Sequence, residues 1–100
     1  MLNELNDNNF SEKIKSGLKL VEFYTDWCGY CKKQKPELES MEKVWIGQVN
    51  AEKAGKIASK YRVNAFPTFL LFKDGKEVER FSGMRSKEEL MGKIMKHLKP

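Results

Sequence analysis

Apolar residues change their spacing several times along the chain, and each change marks the border of an element. Behind Asn9, the residues Phe10, Ile14 and Leu18 recur every four positions, and Glu12 follows Asn9 by three, as in a capping box. A first helix is therefore predicted to open the domain and to end near Gly17. Leu18 to Thr25 is too short for a helix and rich in β-branched and aromatic residues, so it reads as a buried strand with an acid, Glu22, at its middle. Lys32 to Met41 carries helix formers with Leu38 and Met41 three apart, and Pro36 should kink or restart that helix, whose beginning falls at Cys28 and Cys31. Val44 to Val49 reads as a second strand, and Asn50 to Tyr61, with Ile57 and Ala58 apolar, as a shorter helical crossover. Thr68 to Phe72 and Glu77 to Phe81 flank Asp74-Gly75, a strong signal for an antiparallel hairpin. Ser86 with Glu89, followed by Leu90, Ile94 and Leu98, predicts a capped, amphipathic closing helix. Strands that alternate with helices make an α/β domain with a central mixed sheet and helices on both faces.

A chain of 100 residues, 40% of them hydrophobic, has the size and the apolar content of one domain spanning residues 1–100 and argues against disorder. The net charge of +5 could suggest nucleic acid or an anionic membrane, but the lysines alternate with acids along the predicted helices, as on solvated faces. No nucleic-acid or membrane partner is therefore expected. No apolar run approaches the roughly 20 residues of a membrane-spanning helix, and the polar start Met1-Leu2-Asn3-Glu4 lacks a signal-peptide core, so a soluble chain is expected. Repeats, linkers and low-complexity segments are absent from the sequence.

Two cysteines exclude a multi-bridge scaffold, and what matters is that they stand as Cys28-Gly29-Tyr30-Cys31. Two cysteines placed at random fall three apart in only about 2% of arrangements. A closed zinc site needs about four ligands, yet the single histidine, His97, lies on the closing helix, where it reads as a helix-end cation, so no metal is expected. A purely structural bridge over so short a loop would add little chain-entropy stabilisation. The remaining reading is chemical. Cys28 stands where the unsatisfied amides and positive dipole end of the second helix point, which favours its thiolate as a nucleophile, while Cys31, one turn on, should be more buried and act as the resolving thiol.

At this point the chain resembles the thioredoxin family along nearly its whole length. Val21-Glu22-Phe23-Tyr24-Thr25-Asp26-Trp27-Cys28-Gly29-Tyr30-Cys31-Lys32 is similar to the family's strand and redox motif, Pro36 falls at its helix kink, Phe66-Pro67-Thr68 at its cis-proline loop, and Asp74-Gly75 and Gly83 at its hairpin turn and later glycine. The resemblance implies a thioredoxin fold and a thiol-disulfide oxidoreductase without bound cofactor, acting on protein disulfides, most simply as a reductant. It also implies a cis bond before Pro67, facing the cysteines, where the backbone of Phe66 would pair with an extended substrate. Three departures qualify the likeness: Tyr30 replaces the family's usual proline between the cysteines, Glu22 its buried aspartate, and Gln48 a lysine that commonly lies near that acid. The reduction potential therefore stays open.

Catalytic roles are expected for Cys28, Cys31 and Glu22, the last as a buried proton relay because Val21 and Phe23 flank it, with a solvated strand residue as the alternative. Substrate contact is expected from Trp27, Gly29, Tyr30, Phe66, Pro67 and Gly83, while Trp45, Met41, Phe69, Phe72 and Phe81 read as core. Expected partners are proteins with accessible disulfides and a flavoprotein disulfide reductase that recharges the dithiol, with the chain a cytoplasmic monomer. Two alternatives stay open: an extracytoplasmic oxidase or isomerase, and a binding module that recruits a partner without turnover.

Overall fold

The computed structural model describes residues 2–98. Its elements are β1 (Leu2–Leu5), α1 (Phe10–Ile14), β2 (Leu18–Tyr24), α2 (Gly29–Glu39), β3 (Ile46–Asn50), α3 (Gly55–Lys60), β4 (Thr68–Lys73), β5 (Lys76–Ser82) and α4 (Lys87–Met95). The strands form one mixed sheet in the order β1-β3-β2-β4-β5. β3 pairs in parallel with both β1 and β2, whereas β4 runs antiparallel to β2 and β5 antiparallel to β4.

Side chains alternate across the sheet and divide the core in two. Val21 and Phe23 of β2, with Leu70 and Phe72 of β4, pack against Phe10 and Ile14 of α1 and Ile57 and Ala58 of α3. Leu20, Phe69 and Leu71 face the other way, onto Leu38 of α2 and Leu90 and Ile94 of α4. The expected helices on both faces are thus present, and β4, covered on both sides, is near-continuously apolar.

Several expectations need correction. A strand, not a helix, opens the described chain: Leu2–Leu5 is short and polar at its centre, and it is held as a strand by parallel pairing with β3. Asn9 does not cap α1 through its side chain; its Oδ1 instead accepts the Asn6 N–H at 2.8 Å, and Glu12 pairs with Lys15 at 3.0 Å. β2 does begin at Leu18, as expected, because Gly17, at φ 74°, turns the chain out of the helix first, so Leu18 drops out of the helical period of Phe10 and Ile14. α3 covers only the second half of its predicted span, since Asn50 folds back to accept the amides of Glu52 and Lys53. Leu98 lies beyond α4 and is 64% exposed. His97 is also past α4, its Nε2 3.3 Å from Glu79, and Trp45 is only partly buried, against the α1/α3 half of the core.

Other signals hold. Asp74 and Gly75 both take positive φ, 50° and 84°, as the two-residue turn of a right-twisted hairpin requires. Asp74 also ties that turn to Gly17, donating its N–H to the Gly17 carbonyl at 2.9 Å and accepting the Gly17 N–H at 2.8 Å. Ser86 and Glu89 form the predicted capping box at the start of α4, with bonds of 3.1 and 3.3 Å.

Candidate functional site

The sheet and α2 meet at the cysteines. β2 ends at Tyr24, the Cys28 N–H closes a turn onto the Thr25 carbonyl at 3.3 Å, and Cys28 itself, still extended, is the N-cap of α2. Its Sγ takes the place of the usual capping oxygen and accepts the Cys31 N–H at 3.1 Å. The first turn of α2 holds no acid, so no nearby carboxylate of that turn opposes negative charge on the sulfur. Cys28 and Cys31 are joined as a disulfide with their Cα atoms 5.2 Å apart. The expected difference in burial is not found: Cys28 is 6% exposed and Cys31 7%. Cys28 is covered because the Phe66 carbonyl stands 3.5 Å from its Sγ.

Glu22 has the same parity on β2 as Leu20, so it faces α2 rather than α1. It is 1% exposed. Gln48, its parallel partner on β3, donates to Oε1 at 2.9 Å, while Oε2 is buried without a protein partner. Burial pushes the Glu22 carboxyl up to about 7; the Gln48 bond works against that rise, Glu4 adds to it, and Lys35 again opposes it. Glu22 and Cys31 line one cavity of about 260 Å³, together with Tyr24, Lys35 and Gln48, large enough for several waters. On its wall Tyr24 donates its hydroxyl to the Glu4 carboxylate at 3.0 Å. Glu22 and Cys31 thus open onto the same cavity.

The remaining predicted residues form a surface around Cys28. Phe66–Pro67 is a cis peptide. The Trp27 ring, 69% exposed, meets Phe66 edge to face at 6.2 Å. Gly83, at φ 88°, donates its N–H to the Pro67 carbonyl at 2.9 Å and so brings the end of β5 to the same place. Gly29 opens α2, and Tyr30 beside it is 63% exposed, with the Lys33 ammonium 5.9 Å from its ring. Sequence reasoning missed Lys35 and Tyr24, which line the cavity, and Gln34, which is buried and bonded to the backbone of Arg85. Gln34 was open to discovery, since it follows Cys31 by three on the same face of α2. Among the described residues no group of three or more His, Cys, Asp or Glu is placed to share a metal ion, and no helix is long and apolar enough to cross a membrane.

The thioredoxin family profile matches residues 1–96. The thioredoxin of Chlamydia trachomatis is 41% identical over 101 residues, covering 97% of this chain and 99% of that protein. The thioredoxin of Staphylococcus haemolyticus is 38% identical over 100 residues, covering 95% and 96%. The crystal structure of Chlamydomonas reinhardtii thioredoxin f2 superposes with a TM-score of 0.87 at 28% identity, covering 100% of this chain and 99% of that one. Likeness of this extent, joined to a Cys-x-x-Cys pair at the N-terminus of a helix, establishes that the chain belongs to the thioredoxin family and is a protein thiol-disulfide oxidoreductase.

Proposed function

We propose that this chain is a single-domain, monomeric general reductant of protein disulfides in the cytoplasm, recharged by a flavoprotein disulfide reductase and needing no cofactor of its own. The observation that carries the reading is the sulfur of Cys28 in the capping position of α2, where the Cys31 amide and the helix dipole favour its thiolate. In the dithiol form the Cys28 thiolate attacks one sulfur of a substrate disulfide. The substrate S–S bond breaks, a Cys28–substrate bond forms, and the first substrate sulfur leaves as a thiolate that takes a proton from solvent. Cys31 then loses its proton, attacks the Cys28 sulfur and closes the Cys28–Cys31 bond, so the second substrate sulfur leaves. Two electrons have passed from the dithiol to the substrate.

In this reading Glu22 receives the Cys31 proton through the cavity, and a carboxyl that titrates near neutral pH suits both directions of that transfer. Trp27, Gly29, Tyr30, Phe66, Pro67 and Gly83 form the wall against which an extended substrate segment lies. The exposed rings of Trp27 and Tyr30 support this role. Pairing through the Phe66 backbone would read extended geometry more than side-chain identity, which suits an enzyme with many substrates.

The test is equilibration of the Cys28/Cys31 couple against glutathione buffers. A reductant should settle near the value of about −270 mV known for thioredoxin itself, and a potential above about −180 mV would assign the chain to the oxidases or isomerases instead.

A further inference from the structure

α2 also reaches the loop after β5, through a side chain that takes no part in the exchange. Gln34 is fully buried, at 0% exposed. Its Nε2 donates to the Arg85 carbonyl at 2.8 Å, and its Oε1 accepts the Arg85 N–H at 2.8 Å, the pair of bonds a neighbouring strand would make with that residue. One turn further on, Glu37 accepts the Lys87 N–H at 3.1 Å. The other end of the same segment is fixed by the Gly83 bond to the Pro67 carbonyl. Between the two anchors stands Met84, 43% exposed.

A buried primary amide is unfavourable unless both its ends are paired, and an aliphatic side chain would fill a buried position of α2 without that demand. Arg85 in turn lies outside helix and strand, so its backbone groups depend on a partner of this kind. We propose that Gln34 is a positioning residue for substrate capture: its two bonds to the Arg85 backbone hold the Gly83–Met84 loop against the Phe66–Pro67 loop and complete the wall of the groove beside Cys28. The proposal rests on the reading of that groove as the substrate site. A loop held in place before binding loses less freedom on capture, so the effect falls on affinity and not on sulfur chemistry.

Gln34→Met keeps the length of the side chain and removes both bonds. Hydrogen exchange at the Arg85 amide should accelerate, KM for insulin should rise about tenfold, and kcat and the reduction of dithiobis(nitrobenzoate), too small to span the groove, should stay within about twofold. Gln34→Glu keeps the acceptor and regains a donor when protonated, so its insulin KM, as a ratio to wild type at the same pH, should approach one as pH falls toward about 5. Equal losses on insulin and on the small disulfide, or an unchanged insulin KM with an accelerated Arg85 amide, overturn the proposal. Should Gln34→Met not fold, the Gln34→Glu ratio decides, and a ratio that is raised and flat with pH overturns it. Met84→Asp separates this proposal from the reading beneath it. An unchanged insulin KM there removes the loop from the groove and the proposal with it, whereas a raised KM there beside an unaltered one in Gln34→Met removes the clamp alone.

Discussion

Replacing Glu22 by Gln removes one titratable group from beneath the disulfide while keeping its shape and an oxygen for Gln48 to donate to. Burial above all raises the carboxyl from its ordinary 4.5 to about 7, which corresponds to about 3 kcal/mol of linked stability. Below about pH 4.5 the folded and unfolded chains both hold the proton, and the group is neutral to stability. Between there and about pH 7 the folded state keeps a proton that the unfolded state has lost, so stability falls as pH rises, and above about pH 8 the full loss remains. Glu22→Gln should therefore match the wild type in acid and exceed it in mild base, by up to about 3 kcal/mol. Guanidinium unfolding of both oxidised proteins from about pH 4 to 8.5 measures the difference, in which every other titrating group cancels. Parallel curves over that range would show that Glu22 behaves as a solvated carboxylate and that the burial argument is wrong. In turnover, the variant should reduce insulin more slowly and lose an inflection near pH 7, while Cys28 alkylation stays largely intact.

Iodoacetamide should label the reduced protein at Cys28 well below the pH at which an ordinary thiol reacts, with Cys31 lagging, and Cys31→Ser should accumulate a mixed disulfide with substrate; mass spectrometry that finds Cys31 modified first reverses the assignment. At Gly47 an added Cβ would lie 2.7 Å from the buried Leu5 side chain and 2.9 Å from the Trp45 ring, so Gly47→Ala should destabilise by about 1–3 kcal/mol, read as a lower denaturation midpoint. Ser86→Ala removes half of the α4 capping box and should cost about 1 kcal/mol in the same assay, with insulin reduction unchanged.

Local chemistry made much of the architecture legible. The Asp74-Gly75 turn, the Ser86/Glu89 box and the start of α2 at the cysteines each depend on a few adjacent residues. β1 was hidden for the opposite reason: four residues with polar Asn3 and Glu4 at their centre carry no period of their own and become a strand only beside β3. Asn9 misled because an Asx side chain can serve a turn as readily as a cap, and here the Asn6 amide claims it. At the site, the cysteines and Phe66–Pro67 could be read from spacing and resemblance. The cavity that Glu22 and Cys31 both line could not, because it is assembled from β1, β2, β3 and α2 and exists only once they pack.

The division of the core by the sheet gives the two halves of the molecule different influence over the chemistry. Glu22 belongs to the half packed on α2 and α4, so its solvation is set on that side. The half packed on α1 and α3 meets the redox surface chiefly through Phe66, which lies against that core and touches Trp27. On the proposed reading of Phe66 and Glu22, substitutions beneath α1 and α3 and away from β2 should change how a substrate is gripped more than the proton inventory, since distant, unshared sites act additively. In that reading two properties of the enzyme, what it holds and at what pH it turns over, are open to separate tuning by residues outside the Cys-x-x-Cys motif.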